Sequence, residues 1–361
     1  MAAIEGAGSR RMMTSMRALL ILLCLTLAGH SAAADKTPSA KRFLKRDAAW
    51  FAGDEALRVA DNLVTWQADN GAWQEEKDLV SAPYSGERKK LKGTFDDHAT
   101  TDEVRFLAKV IAAGSSKPAH RESFDRALRC ILSAQYENGG WPHRPPPVKG
   151  YDTRITFNDN TMSRLMWLLR EIATEKTYAF VPAETRQACA KAFERGVRCI
   201  LRCQIVVDGR PTVWCAQHDE VDFSPRPART FELVSFSGME SIDLIRILMS
   251  VEKPDAETKA AVEGACAWLD AHRIKGIRVE ERSGLLGKDK VVVQDPKAPD
   301  LWARFYDLKT ARPFFCSRDG IPRENLSEIS HERRNGYGWY GEYARDLLAK
   351  DYPAWRQRLG L

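Results

Sequence analysis

Leu128-Arg-Cys-Ile-Leu-Ser-Ala-Gln135 decides the fold, because the chain carries four versions of this layout. The others are Ala60-Asp-Asn-Leu-Val-Thr-Trp-Gln67, Val197-Arg-Cys-Ile-Leu-Arg-Cys-Gln204 and Ala265-Cys-Ala-Trp-Leu-Asp-Ala-His272, at spacings of 68, 69 and 68 residues. Each is an apolar stripe of helical period that ends in an amide or an imidazole. A turn with glycine and tryptophan follows the first two, Asp69-Asn-Gly-Ala-Trp73 and Glu137-Asn-Gly-Gly-Trp141. The third is followed by Val206-Val-Asp-Gly209 and then Trp214. A period near 68 residues has room for two helices and their connections. Further stretches of helical period, at 101–113, 161–173 and 238–249, lie between the repeat helices. The expectation is an all-α fold of alternating inner and outer helices, stacked as an open solenoid or closed as a toroid. Only Lys290-Val-Val-Val-Gln294 reads as a short strand.

Outward from the repeats, residues 1–34 read as an export signal. Arg10, Arg11 and Arg17 precede the apolar run Ala18–Ala28, and Ala32-Ala33-Ala34 places cleavage before Asp35. The run is short for a permanent membrane span, which leaves an uncleaved anchor as the lesser alternative. Removing three arginines and one glutamate lowers the formal net charge from +6 to +4. Residues 35–49 form a short Lys-rich lead, and 50–361 the functional domain. A mildly basic exported chain suits an anionic partner, and no basic stretch interleaved with aromatics points to nucleic acid. Of eight cysteines, Cys24 falls in the signal, and an odd remainder argues against a disulfide framework. Cys203 and Cys215 are spaced to bridge a loop, while Cys130, Cys199 and Cys266 read as core residues.

Polar segments precede the intervening helices: Thr94-Phe-Asp-Asp-His-Ala-Thr-Thr101, Ile155-Thr-Phe-Asn-Asp-Asn-Thr-Met162 and Pro227–Ser241. Their spacing gathers them at one end of the scaffold, and the helix-poor stretch from Leu301 to Gly320 lies over that end. An Asp or Asn before a helix is ordinarily an N-cap. Adjacent pairs such as Asp96-Asp97 and Asn158-Asp159 exceed what one cap needs. Their hard oxygens suit Ca²⁺ in a site assembled from separate segments. Arg229, Arg304 and Arg318 are the candidates for gripping carboxylates. Trp73 and Trp141 read either as packing aromatics behind C-cap glycines or as faces for a sugar ring. From the residues alone, paired carboxylates for glycoside hydrolysis remain nearly as good a reading, and so does a non-catalytic binder of an anionic ligand.

A family resemblance separates these readings. The motifs are Asn-Gly-Gly-Trp-Pro (138–142), Thr-Phe-Asn-Asp (156–159), Ala-Arg-Thr-Phe-Glu-Leu (228–233), Ser-Gly-Met-Glu-Ser (237–241), Trp-Ala-Arg-Phe-Tyr-Asp-Leu (302–308), Arg-Pro-Phe-Phe-Cys-Ser-Arg-Asp-Gly (312–320) and Glu-Arg-Arg-Asn-Gly-Tyr-Gly-Trp-Tyr-Gly (332–341). Together, in order from about residue 50 to the C-terminus, they resemble the pectate lyases of polysaccharide lyase family ten. The resemblance implies an α/α toroid-like domain whose long loops form a substrate cleft. It also implies calcium-dependent β-elimination on polygalacturonate by a secreted or periplasmic monomer. It makes Arg229 the base, Asp159 the principal calcium ligand, Asp96 and Asp97 a pair that contacts metal or substrate, and Arg304 and Arg318 the grips on substrate carboxylates. Trp141, read as a sugar face, completes the expected substrate-binding set with them. Asp97 stands where the family has Asn, and His98 follows where a small residue is commoner, which adds charge beside the site.

Overall fold

The computed structural model describes residues 39–284 and 287–361; the export signal of residues 1–34 and its cleavage point lie outside them. The four repeat segments end four helices, α1 (Asp54–Trp66), α3 (Pro118–Ser133), α5 (Ala183–Cys203) and α7 (Ala256–Ala271). Between them run α2 (Thr101–Ala112), α4 (Thr161–Thr174) and α6 (Glu240–Met249). Helix α3 packs on α1 and α5, and α5 on α7, while α4 packs on α2 and α6, so the helices form two layers. The apolar period supplies the contact: Leu165, Leu168, Leu169 and Ile172 of α4 are fully buried. Each such side chain contributes about 1.5–3 kcal/mol of burial.

The terminal amide of each repeat welds one repeat to the next. Gln67 Nε2 donates to Gly71 O in its own turn (2.8 Å) and to Ser123 O of α3 (2.9 Å). Gln135 Nε2 does the same with Gly139 O (3.0 Å) and Ala192 O (2.9 Å), and Gln204 Nε2 with Thr212 O (2.7 Å) and Ala261 O (2.9 Å). Only a side chain with two donors on one nitrogen can hold both carbonyls. His272 ends the series and turns back, with Nδ1 2.7 Å from Trp268 O.

The tryptophans behind the turns are core residues. The indole N–H of Trp73, Trp141, Trp214 and Trp302 donates to Leu63, Ile131, Ile200 and Leu269 O of the repeat helices, at 2.7–2.9 Å. All four are fully buried. Trp141 therefore has no free face for a sugar ring, which corrects its expected place among the substrate-binding residues.

An all-α fold is not what forms. The described residues are 46% helical and 13% strand. The strand content is a hairpin, Ile277–Gly284 with Gly287–Gln294, and two-residue antiparallel pairs. The pairs include Ile155–Thr156 with Gln217–His218, Phe236–Ser237 with Phe305–Tyr306, and Trp302–Ala303 with Tyr340–Gly341. They tie the loop ahead of α4 to the loop between α5 and α6, and that loop to the 301–341 segment. Backbone groups of such packed loops must find partners, and loop-to-loop pairing supplies them. Cys203 and Cys215 do not bridge; all seven described cysteines are free and buried. Among the described residues no helix is long and apolar enough to cross a membrane.

Gly139 has φ +94°, and a Cβ there would run into the carbonyl oxygen of Arg195. Gly114 has φ +102° with open space around it. Gly139→Ala is expected to cost about 2–4 kcal/mol, the left-handed penalty plus a steric one. Gly114→Ala should cost only the left-handed penalty of about 1–2 kcal/mol. Urea denaturation of both variants checks the difference; equal losses would show that the Gly139 turn yields freely.

Candidate active site

Two one-turn helices prepare the carboxylates. Asp96–His98 precedes α2 and Asn158–Asn160 precedes α4, and in each the middle residue is left-handed: Asp97 at φ 41° and Asp159 at φ 48°. Asp and Asn adopt this region more readily than other L-residues, but a run of them is uncommon outside functional sites. His98, Thr100 and Asn160 are also at positive φ. Neither α2 nor α4 receives a side-chain cap hydrogen bond. The ordinary N-cap explanation for these acidic residues therefore fails: Asp96 turns to His143 and Asp159 to Arg304.

Asp159 is the centre. Its Oδ1 accepts from Arg304 Nη2 at 2.8 Å, and its Oδ2 accepts from Asn158 Nδ2 at 2.6 Å. Arg229 Nη2 lies 3.7 Å from that Oδ2. Arg304 also reaches Asn158 Oδ1 at 3.3 Å and donates to Glu240, while its Nε is buried without a partner. It is only 3% exposed. Burial penalises its charge, yet Glu240, Tyr337 and Asp159 outweigh that and hold the guanidinium well above its ordinary pKa. Arg304 thus reaches the cleft through Asp159 rather than as a solvent-facing arm.

Arg229 sits in a tight turn closed by Glu232. Glu232 Oε2 accepts from Arg229 backbone N (3.1 Å) and Nε (2.8 Å), and Oε1 accepts from Nη2 (2.5 Å). Burial opposes the Arg229 charge, but the Glu232 hydrogen bonds and carboxylate win and raise its pKa. The guanidinium carbon lies 5.1 Å from the Phe231 ring centroid. Arg318 reaches the same ring at 5.6 Å and Arg333 at 4.5 Å. Arg318 is exposed and pairs with Glu332 at 3.0 Å.

The other carboxylates flank this cluster. Asp96 Oδ2 is 2.8 Å from His143 Nε2, and His143 Nδ1 is 3.4 Å from Asp152 Oδ1. Burial would raise the Asp96 pKa, but His143 more than offsets it. Glu75 is pushed up to about 7, first by burial and then by the Asp96 carboxylate. Asp97 is raised by burial and by Asp96 and Asp159, against the pull of Arg164 on α4.

The structure thus brings Asp159, Arg304 and Arg229 into contact, with Asp96, Asp97 and Arg318 around them. Sequence reasoning missed Glu232, Glu240 and Tyr337 as partners of these residues. Glu240 carried a signal: Ser237-x-x-Glu240 is a capping-box spacing, and Glu240 N donates to Ser237 Oγ at 3.1 Å.

The carboxylates suit a hard cation. Asp97 is half buried beside the Asp96 and Asp159 carboxylates, and burial first and then those two charges oppose its ionisation; a divalent ion would relieve that opposition. Among the described residues no three His, Cys, Asp or Glu side chains form a metal cage. An ion here would therefore take further ligands from water or substrate.

Known proteins set this geometry in context. The family 10 polysaccharide lyase from Cellvibrio cellulosa matches with a TM-score of 0.75 and 32% identity, over 89% of this chain and 96% of that one. A mutant of it, in complex with trigalacturonic acid, matches with a TM-score of 0.74 and 31% identity, over 89% and 97%. No curated protein sequence matches significantly. These likenesses put the chain among the polysaccharide lyases. Residues 65–348 match the pectic acid lyase family, so the chain belongs to that family and is a pectate lyase. The hydrolase and non-catalytic readings are thereby set aside.

Proposed function

We propose that the chain is an exported, monomeric pectate lyase that cleaves polygalacturonate by calcium-assisted β-elimination, with Arg229 as the base. The observation that carries this reading is the contact of Arg229 with Asp159, itself held by Arg304. One proton acceptor and one carboxylate-and-cation site then lie within a single sugar's reach. The relative's complex with trigalacturonic acid supports a galacturonate polymer as substrate.

Arg229 takes the C5 proton of a uronate. The freed electron pair forms the C4–C5 double bond, the C4–O4 bond breaks, and the departing oxygen is protonated from water. Asp159 and Asp97 are the residues that would hold Ca²⁺. Bound there, the ion would supply electrophilic stabilisation of the uronate carboxylate. Arg318 neutralises a further carboxylate along the polymer. Arg229 accepts a proton only when neutral, and Glu232 favours its charged form, so activity belongs to alkaline conditions.

Incubation with polygalacturonate should yield an unsaturated product that absorbs in the ultraviolet. A chelator should abolish it, and added Ca²⁺ restore it. Saturated products, or turnover indifferent to chelation, would overturn β-elimination or the calcium role respectively.

A further inference from the structure

Tyr337 belongs to neither the carboxylate cluster nor the arginines, yet it touches both. Its hydroxyl donates to Glu232 Oε1 at 2.7 Å, the same oxygen that accepts from Arg229 Nη2. Its ring lies under the Arg304 guanidinium carbon at 4.3 Å, and the Arg229 guanidinium carbon is 6.0 Å from the centroid. The phenol is nearly buried. Phe231 packs edge-on at 5.3 Å and Trp339 at 5.0 Å, so the ring has little room to turn. Its own carbonyl accepts from Lys290 Nζ at 3.1 Å, which fastens the segment to the long hairpin.

We propose that Tyr337 is a positioning residue with two separable jobs. Through its hydroxyl it completes the acceptor set of Glu232 and so fixes where Arg229 points. Through its ring face it seats Arg304, and with it Asp159, at a set distance from Arg229. A cation over an aromatic face is attracted to it, and a buried ring cannot drift. A fully engaged carboxylate likewise leaves the guanidinium it holds one orientation. The two jobs fall on different kinetic constants, because Arg229 acts in turnover, while Arg304 steadies Asp159, which would hold the cation that meets the bound uronate carboxylate. This inference rests on those two roles.

Tyr337→Phe keeps the ring and removes the hydroxyl; Tyr337→Leu removes both. On polygalacturonate with Ca²⁺, Tyr337→Phe should lower kcat about 10-fold, the worth of one hydrogen bond to a charged group, with KM nearly unchanged. Tyr337→Leu should show that loss and raise KM about 10-fold besides, for the lost seat of Arg304. A purely structural role would lower the thermal midpoint and leave both constants of the folded fraction unchanged. Wild type and Arg229→Lys run in parallel. If Arg229→Lys turns over normally, the base assignment falls and the Tyr337 inference falls with it. If Arg229→Lys is inactive and Tyr337→Phe keeps full kcat, the Tyr337 inference alone is overturned. Should Tyr337→Leu fail to fold, Tyr337→Phe decides the hydroxyl's role. Tyr337→Met then replaces leucine for the ring's role, and an unchanged KM in it would overturn that half.

Discussion

Arg229→Lys is expected to lower kcat on polygalacturonate by about 10²–10⁴-fold, the range ascribed to a positioned general base. KM should change far less. Lysine keeps the positive charge beside Asp159, so the electrostatic field that meets an anionic polymer persists. What it loses is the planar fork that Glu232 grips at Nε and Nη2. The lysine side chain also reaches less far and places its nitrogen elsewhere. Arg229→Ala is the less clean variant, because it strips a nearly buried Glu232 of its cation and leaves only Tyr337 and backbone donors. Product formation at several substrate concentrations separates kcat from KM, and a melting curve confirms that the variant is folded. Turnover within about tenfold of wild type would remove Arg229 as the base, since a positioned general base typically contributes about 10²-fold or more.

The arginine's setting raises a chemical question that its motif alone did not. In the free protein Glu232 favours the charged guanidinium, the wrong form for accepting a proton. The arrangement fixes direction at the expense of basicity. A base of high pKa is strong in its neutral fraction, so accurate aim and alkaline conditions compensate for rarity.

How much of this was legible in the sequence differs by scale. The 68-residue period announced α1, α3, α5 and α7, because amphipathic stripes and their terminal amides are local signals. The intervening helices fell within a residue or two of their expected bounds. The two-residue strands were invisible, since Phe236-Ser237 and Trp302-Ala303 are too short to show a strand's alternation; they pair because folding brings loops together. The fourth indole, Trp302, escaped the period because the hairpin Ile277–Gln294 is inserted before it. Asp96, Asp97, Asp159 and Arg229 were picked out by residue type, and the structure supplies the reason for their pairing in left-handed turns. Trp141 was misplaced because a buried indole and a sugar platform share the same sequence, Gly-Gly-Trp-Pro. Arg304 was expected to grip a substrate carboxylate, and the structure turns it to the protein's own Asp159 and Glu240. Its neighbours Trp302, Phe305 and Tyr306 signalled burial, since so apolar a segment draws its one cation inward only against a paired acid.

That paired acid carries the second large effect. Arg304→Met is expected to destabilise the protein by about 3–5 kcal/mol, because it leaves Glu240 as an uncompensated buried charge. Glu240 is fully buried, and beyond Arg304 it has Ser237 Oγ and the Asp159 backbone N–H as partners. Methionine matches the arginine stem in volume, so little of the loss should come from a cavity. The partner variant Glu240→Gln keeps an oxygen for Arg304 and removes the charge, and Arg304 retains Asp159 at 2.8 Å. Its cost should therefore be smaller than that of Arg304→Met. Combining the two should recover part of the loss, since a buried site with neither charge is no worse than one with both. Arg318→Met is the control: Arg318 and Glu332 are both more than half exposed, so its loss should stay within about 0.5 kcal/mol. Urea denaturation of the four variants tests the set. An Arg304→Met protein as stable as Arg318→Met would mean that water reaches Glu240. The Arg304–Glu240 pair would then be a surface contact, and Asp159 would lose the fixed support that places it opposite Arg229.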